Sequence, residues 1–132
     1  MSAVLDTSAL AAVVFGEPDA ELLLAAMTSA AGDLLLSAAT AVEVGIVVAA
    51  KQGPTASHDL RLLIDGLGVT VVPLDATQAE FAVAAWRRFG KGRHPAGLNL
   101  GDCFAYALAK SQGAELLFKG RDFSQTDVAS AT

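Results

Sequence analysis

The sequence MSAVLDTSALAAVVFG, residues 1–16, places a short apolar segment, a single acid and a helix-like segment in that order. Ala3 to Leu5 is predicted to form a strand, and Ser8 to Phe15 a helix that Gly16 ends. Asp6 therefore follows the carboxyl end of a strand. In open α/β sheets ligands bind outside those ends, so this stretch predicts an α/β fold and marks the edge where a site should lie.

The same alternation of strand-like and helix-like segments continues along the chain. Gly53-Pro54 is predicted to end one buried helix before the next begins. Strands separated by helices predict a parallel sheet with helices on both faces, an α/β/α sandwich, in a single domain of residues 1–132. The further predicted strands are 34–36, 69–73 and 116–118, and the further predicted helices are 19–30, 38–51, 55–67, one that begins after Asp75, and one from Asn99 or Leu100 to about Gly113.

The composition is apolar for a chain of 132 residues, because hydrophobic residues make up 53% and charged residues only 17%. We therefore expect another chain to cover part of the apolar surface. The apolar run Ala38 to Ala50 contains Glu43 and is too short to span a bilayer, so no membrane segment is expected. The single cysteine, Cys103, and the lack of a basic segment before an apolar one predict a protein of the reducing cytoplasm without a signal peptide.

The positive charges are concentrated in one segment, although the chain as a whole is acidic. The net charge is −5 and the pI about 4.8, which argues against broad, unspecific binding of nucleic acids. An acidic chain still binds a polyanion through a local basic stripe. Four basic residues fall within one short segment and are predicted to contact a nucleic-acid backbone: Arg87, Arg88, Lys91 and Arg93.

Four carboxylates lie beside apolar segments, where a charge is costly to bury: Asp6, Glu43, Asp102 and Asp122. Desolvating such a charge costs several kcal/mol unless the group is paired. Clustered carboxylates also repel one another unless they are protonated or bound to a cation. The four acids therefore predict one shared ligand, a divalent cation.

Two of these acids also have structural interpretations as members of helix caps. Glu43 could reach back to the amide of Thr40 in a capping box, whereas a helix that starts at Ser37 would leave Glu43 inside a buried helix. Asp102 could be a first-turn acid after an Asn99 cap. The glycine before Asp102 weakens a helix start and would let a backbone or a ligand approach closely.

The other two acids have weaker structural alternatives. Asp6 could cap the helix that follows it, but Thr7 or Ser8 could do so as well, which leaves Asp6 available for a ligand. Asp122 could be a turn residue after Gly120. The position of Asp6 at a strand end favours a functional role for it.

An all-oxygen site of carboxylates suits Mg²⁺ or Mn²⁺ rather than zinc. Zinc is also not expected because His94 has no second His or Cys at ligand spacing, and no G-x-x-x-x-G-K motif supports ATP or GTP chemistry. A carboxylate-bound metal activates a water and neutralises charge on a phosphoryl group. Acids for the metal and a separate basic flank for the polyanion together predict phosphodiester hydrolysis.

Four short stretches resemble the PIN-domain ribonucleases, and most closely the VapC-type toxins of prokaryotic toxin–antitoxin pairs. They are Asp6-Thr7-Ser8-Ala9, Glu43 in mid-chain, Asn99-Leu100-Gly101-Asp102-Cys103 and Gly120-Arg121-Asp122-Phe123. The order and spacing of the acids agree with that family over essentially the whole chain.

The resemblance implies an RNA substrate, Mg²⁺ or Mn²⁺ as cofactor, a homodimer and an inhibitory VapB-type antitoxin. It also implies an acidic site with ligands and supporting residues. These would be the acids Asp6, Glu43, Asp102 and Asp122, with Asp6 and Asp102 as metal ligands and Ser8 and Asn99 in support.

One departure from the family concerns the last acid. Arg121 precedes Asp122, whereas in many relatives the run before the last acid is richer in Asn or Asp. The fourth position of the site is therefore open between Asp122 and Asp127.

Three other classes of protein are weighed against this interpretation. A phosphoacceptor receiver domain would use Asp75 and Lys119, but it needs an acidic pair after the first strand, and only Asp6 is present there. A phosphatase with an Asp nucleophile needs a second acid where Ser8 stands. A catalytically inactive PIN-like binding module is the third alternative, and the retention of all four acids argues against it.

Overall fold

The structure, a computed structural model, describes residues 2–132. At its centre is a sheet of four parallel strands in the order β3-β2-β1-β4. In β1, Val4 is in register with Leu35 of β2 and Leu116 of β4. The strands are β1 (Ala3–Leu5), β2 (Leu34–Ser37), β3 (Thr70–Val72) and β4 (Glu115–Leu117).

Five helices cover both faces of the sheet. They are α1 (Thr7–Val14), α2 (Ala20–Ser29), α3 (Ala38–Gly66), α4 (Ala76–Phe89) and α5 (Leu100–Gln112). Side chains of successive strand residues point to opposite faces, so Val4 packs into the core under α4 and α5, whereas Ala3 and Leu5 pack into the core under α1, α2 and α3. The predicted α/β/α architecture is therefore confirmed.

The local predictions are correct in type and differ at element ends. The break at Gly53-Pro54 is a kink inside α3, where Gly53 adopts a φ of +72° that is unfavourable for any residue with a Cβ. The third strand ends at Val72, because Pro73 has no backbone N–H to donate to the sheet. The last strand begins at Glu115, one residue earlier than predicted, and pairs there with Ala3.

The chain after α5 returns to cover the edge strand β4. The backbone N–H of Leu116 donates to the carbonyl of Ala129 at 2.8 Å, and the N–H of Ala131 donates to the carbonyl of Leu116 at 3.0 Å. A short 3₁₀ turn, Phe123–Gln125, precedes this return. Within residues 2–132, no helix is long and apolar enough to cross a membrane.

Two strand ends lead into helices without a loop. Asp6 is the single residue between β1 and α1, and Ser37 ends β2 and caps α3. The N-termini of α1 and α3 therefore lie at the carboxyl edge of the sheet. Helix N-termini favour negative charge, which suits this edge for acidic side chains and anionic ligands.

Candidate functional site

Asp6 is the most deeply buried of the four acids, with only 3% of its surface exposed. As the N-cap of α1, it accepts hydrogen bonds at Oδ2 from the Ser8 N–H (3.0 Å) and the Ser8 hydroxyl (2.6 Å). Its other oxygen, Oδ1, is buried and has no hydrogen-bond partner among the described residues. Burial raises the pKa of Asp6 to about 6, and the charges of Asp102 and Glu43 add to that rise against the bonds from Ser8.

Ser8 links Asp6 to the segment that follows β4. The Ser8 hydroxyl accepts a hydrogen bond from the backbone N–H of Lys119 at 2.9 Å while it donates to Asp6. The Lys119 side chain anchors the same segment through Glu17 at 2.8 Å. The supporting residue predicted from the sequence is therefore in contact with Asp6, and it also fixes the start of the segment that carries Asp122.

Glu43 lies inside α3, and the capping-box interpretation with Thr40 is wrong. The N-cap of α3 is Ser37, whose Oγ accepts the N–H of Ala39 at 3.2 Å, and Thr40 is buried within the helix. The carboxylate of Glu43 is instead held from another element, because the hydroxyl of Thr7 donates to its Oε1 at 2.5 Å. From the sequence, Thr7 was only a possible cap, and its bond to Glu43 was not predicted.

Gly101 allows Glu43 to approach the start of α5. A Cβ built on Gly101 would overlap the carboxylate of Glu43. The close approach expected at this glycine is therefore made by an acid of the site itself. Two helices that are far apart in sequence, α3 and α5, thus present Glu43 and Asp102 side by side.

Asp102 and Asn99 form a complete capping box at the start of α5, so the structural interpretation of Asp102 is correct. The Asn99 N–H donates to Asp102 Oδ2 at 3.0 Å, and the Asp102 N–H donates to Asn99 Oδ1 at 2.9 Å. Partial burial raises the pKa of Asp102 above its usual range, and the charges of Asp122 and Glu43 add to that rise against the bond from Asn99. The cap occupies one carboxylate oxygen and leaves the other without a hydrogen bond from residues 2–132.

The structure brings Asp122, and not Asp127, to the other acids. Asp122 is exposed, follows Gly120 (φ +96°) and makes no capping hydrogen bond, while its charge acts on Asp102. Asp127 accepts the Tyr106 hydroxyl at 2.6 Å and the Lys110 ammonium at 3.2 Å. The carboxylate of Asp127 is therefore engaged in a separate cluster on α5.

The four acids lie near one another at one edge of the sheet, as expected from the sequence. Within residues 2–132, no group of three or more His, Cys, Asp or Glu side chains already has the arrangement of a metal site. The donor set still fits a divalent cation in two respects. The buried Asp6 Oδ1 has no protein donor, and all candidate ligands are carboxylate oxygens, which Mg²⁺ and Mn²⁺ prefer.

The basic residues lie on the segment that leads into α5. Arg87 and Arg88 are in the last turn of α4, and Lys91 and Arg93 lie in the loop that follows. That loop is closed by a backbone bridge between Gly90 and Leu98, directly before the Asn99 cap. Across the part of the chain that the structure describes, no ion pair joins the basic residues to the four acids, so the two groups remain separate.

Two of these cations have partners of their own. The Arg88 guanidinium lies 3.5 Å from Asp127, and that of Arg93 lies 4.6 Å from the ring centre of Trp86. Among residues 2–132, Arg87 and Lys91 form no ion pair, so their charges are the more available to an external anion.

Comparison with known proteins gives close relatives over nearly the full chain. The PIN domain family matches residues 3–129. Ribonuclease VapC of Mycolicibacterium smegmatis is 50% identical over 128 residues, which cover 96% of this chain and 97% of the relative. Ribonuclease VapC30 of Mycobacterium tuberculosis is 48% identical over 126 residues, which cover 96% of this chain and 95% of the relative.

Solved structures with the same fold are more distant in sequence. VapC20 of Mycobacterium tuberculosis, described as a sarcin-ricin loop cleaving toxin, superposes with a TM-score of 0.79 at 18% identity and covers 97% of both chains. A toxin–antitoxin complex from Klebsiella pneumoniae gives a TM-score of 0.73 at 22% identity, with 99% of this chain and 98% of the other covered. At these identities the likeness shows the fold alone.

Proposed function

The chain belongs to the PIN-domain family, in its VapC branch, and on that premise we propose that it is a metal-dependent endoribonuclease that acts as the toxin of a toxin–antitoxin pair. The observation that carries the proposal is the buried Asp6 carboxylate, which has one oxygen without a partner and two further acids, Glu43 and Asp102, beside it. The relatives that are about half identical are named ribonucleases, which supports RNA as the substrate.

Asp6 and Asp102 are the residues that would hold the metal, with Glu43 and Asp122 completing its acidic surroundings. A bound Mg²⁺ or Mn²⁺ supplies an activated water and neutralises charge on the phosphoryl oxygens. The chain's own contribution is to keep the ligands ionised and oriented. Ser8 does this for Asp6 with two hydrogen bonds to Oδ2, and Asn99 does it for Asp102 through the capping box.

The basic segment is proposed to bind the RNA backbone on the flank of the acidic site. The four acids repel phosphates, so the polyanion must be held by cations outside the cluster. Arg87, Arg88, Lys91 and Arg93 are exposed and end shortly before the Asn99 cap. This arrangement supports a substrate path that runs from the end of α4 towards the start of α5.

An antitoxin and a second copy of the chain are the proposed protein partners. Apolar side chains such as Leu22, Val42 and Ile46 are about two-thirds exposed on α2 and α3, and a groove of about 440 Å³ between α4 and α5 is lined by Trp86 and Leu100. Exposed apolar area of this extent is typical of surfaces that another chain covers. Toxin–antitoxin complexes among the structural relatives support an antitoxin as one partner. Light scattering that shows a stable monomer at micromolar concentrations would rule out the homodimer.

The proposed activity is tested with purified chain, free of antitoxin, and structured RNA. We expect cleavage with Mg²⁺ or Mn²⁺ and none in excess EDTA, and we expect Asp102→Asn to be inactive while it remains folded. Sequencing of RNA ends after induction, wild type against Asp102→Asn, would identify the cleaved sites. Undiminished cleavage in EDTA contradicts the mechanism, and binding of RNA without cleavage under all metal conditions would favour the inactive binding module.

The receiver-domain alternative loses its support in the structure. Asp75 is used as the N-cap of α4, where its Oδ1 accepts the N–H of Gln78 at 2.8 Å. Lys119 is paired with Glu17 and lies 3.5 Å from Asp19. Both side chains are therefore already engaged by partners within the described residues.

A further inference from the structure

The carboxylate of Glu43 is held by a residue that is not one of the four acids. Thr7 is the first residue of α1, and its hydroxyl donates to Glu43 Oε1 at 2.5 Å across 36 positions of sequence. A hydroxyl that donates to a carboxylate forms a charge-assisted hydrogen bond, which is shorter and about twice as strong as a neutral one. Thr7 therefore constrains the orientation of Glu43 directly.

Within the described residues, the hydroxyl of Thr7 forms no hydrogen bond other than the one to Glu43. The first turn of α1 is capped by the Asp6 side chain, and the Asp6 carbonyl accepts the N–H groups of Ala9 and Leu10. Removal of the Thr7 hydroxyl thus leaves the start of the helix intact. The effect of its removal would fall on Glu43.

The Glu43 carboxylate also lies against Gly101, with Oε2 nearest to the glycine. A Cβ at that position would overlap the carboxylate, so the bare Cα of Gly101 provides the space that Glu43 occupies. Glu43 is therefore confined between a donor on α1 and a glycine on α5. Its Oε2 receives no hydrogen bond from residues 2–132.

We propose that Thr7 is a positioning residue of the acidic site, which together with Gly101 fixes Glu43 in one orientation beside Asp6 and Asp102, the residues that would hold the divalent cation. This inference deepens the proposed function and rests on it. Groups that orient metal-binding side chains typically contribute about 10- to 100-fold to metal affinity or activity. Thr7 should therefore affect metal binding even when no RNA is present.

The test measures Mn²⁺ binding to the RNA-free protein by electron paramagnetic resonance, together with kcat and KM for RNA. Thr7→Val keeps the shape of the side chain and removes the hydroxyl, whereas Thr7→Ser keeps the hydroxyl. We expect Thr7→Val to weaken Mn²⁺ binding about 10-fold and to lower kcat similarly without a change in KM, and Thr7→Ser to stay within about twofold of wild type. The matched control is Thr28→Val, which removes a hydroxyl that donates to the Leu24 carbonyl on α2. Its Mn²⁺ affinity, kcat and KM should equal those of wild type.

Two further variants make the result decisive. Gly101→Ala should displace the Glu43 carboxylate and weaken Mn²⁺ binding as Thr7→Val does. It therefore tests the same proposal if Thr7→Val fails to fold. In a Glu43→Gln background, Thr7→Val should cause no further decrease, because Thr7 acts through Glu43.

The outcomes separate this inference from the proposed function. Wild-type Mn²⁺ affinity and kcat in Thr7→Val, or effects that add fully to those of Glu43→Gln, overturn the role of Thr7 while the nuclease assignment stands. A wild-type protein that neither binds Mn²⁺ nor cleaves RNA refutes the proposed function, and the inference falls with it.

Discussion

At the start of α5, the side chains of Asn99 and Asp102 each accept a hydrogen bond from the backbone N–H of the other residue, at 2.9 and 3.0 Å. Asp102 is thus a structural cap and a candidate metal ligand in one side chain. The two roles use different oxygens, because Oδ2 accepts the Asn99 N–H and Oδ1 receives no hydrogen bond from residues 2–132. A capping motif in a sequence therefore does not exclude a site residue.

The double role predicts that two substitutions of Asp102 will behave differently. Asp102→Ala should abolish cleavage and cost about 1 kcal/mol of stability, because the Asn99 N–H loses its acceptor. Asp102→Asn keeps a carbonyl oxygen for that N–H, so it should abolish cleavage at a cost of less than about 0.5 kcal/mol. Urea unfolding and an RNA cleavage assay on both variants check this. Equal destabilisation of the two variants would show that the cap contributes nothing through Asp102.

The buried charge of Asp6 predicts a dependence of stability on pH in metal-free buffer. The pKa of Asp6 in the folded protein is raised to about 6, above the 3.8 of an exposed carboxyl, so the folded state binds the proton more tightly than the unfolded chain. This contribution is fully present below about pH 4 and is lost as pH rises through 6. Asp6→Asn removes the charge and should stabilise the protein at pH 7.5 by an amount on the order of 2 kcal/mol.

The measurement is urea unfolding in EDTA at pH 7.5 and pH 4. The stability difference between Asp6→Asn and wild type should be clear at the higher pH and close to zero at the lower one. Asp33→Asn, at an exposed acid before β2, serves as the control for a change in net charge. A destabilised Asp6→Asn at pH 7.5 would show that the hydrogen bonds from Ser8 outweigh the cost of burying the charge.

Addition of Mn²⁺ should make wild type more stable than Asp6→Asn, the reverse of the order expected in EDTA at pH 7.5. A ligand that binds only the folded state stabilises it by about 2.7 kcal/mol when its concentration is 100 times the dissociation constant. Wild type should therefore gain thermal stability with Mn²⁺, whereas Asp6→Asn, which lacks a charged ligand, should gain little. Thermal denaturation over a Mn²⁺ titration measures both. Identical shifts in the two proteins would place the metal away from Asp6.

The cluster around Asp127 predicts an effect on stability without an effect on metal binding. Tyr106 is buried, and its hydroxyl donates to Asp127 at 2.6 Å, which anchors the segment after α5. Tyr106→Phe removes the donor and should cost about 1–2 kcal/mol with wild-type metal binding. Arg88→Ala removes an ion pair with Asp127 in which the Arg88 side chain is 66% exposed, and should cost no more than about 0.5 kcal/mol. Weakened Mn²⁺ binding in Tyr106→Phe would instead assign Asp127 to the metal site.

The fold was predictable because the sequence patterns that indicate its strands and helices are local. Strand and helix patterns alternate with clear Gly and Pro breaks, and consecutive strands joined by helices form parallel sheets, so Asp6 could be placed at the carboxyl edge from the sequence. Element ends were less accurate. The start of the last strand, for example, is set by pairing of Glu115 with Ala3, which a local pattern does not show.

The internal geometry of the site was not predictable because it depends on contacts between distant segments. The string Thr40 to Glu43 matches a capping box, so the sequence left the start of α3 open between Thr40 and Ser37. The bond that holds Glu43 comes from Thr7 on α1, across 36 positions of sequence. In the same way, the local pattern at Gly101 indicates only a weak helix start. Its role depends on a side chain that is more than fifty positions away in sequence.

The basic segment predicts a salt-dependent contribution to RNA binding that is separate from catalysis. Arg87 and Lys91 are exposed and form no ion pair within residues 2–132, so each is available to a phosphate. Alanine at both positions should raise KM for RNA with kcat unchanged. It should also reduce the slope of log affinity against log salt by about one for each phosphate that is no longer neutralised. Cleavage kinetics between about 50 and 200 mM salt measure both quantities.

The control for each single substitution, Arg87→Ala or Lys91→Ala, is Arg61→Ala, which makes the same change in charge on the second half of α3. Because the −5 net charge of the chain becomes more negative in every such variant, a general electrostatic effect would raise KM for Arg61→Ala as well. A local RNA contact instead predicts that only the variants at the end of α4 change the salt slope. Equal slopes in Arg61→Ala and Arg87→Ala would show that the RNA path does not follow the basic segment towards the Asn99 cap.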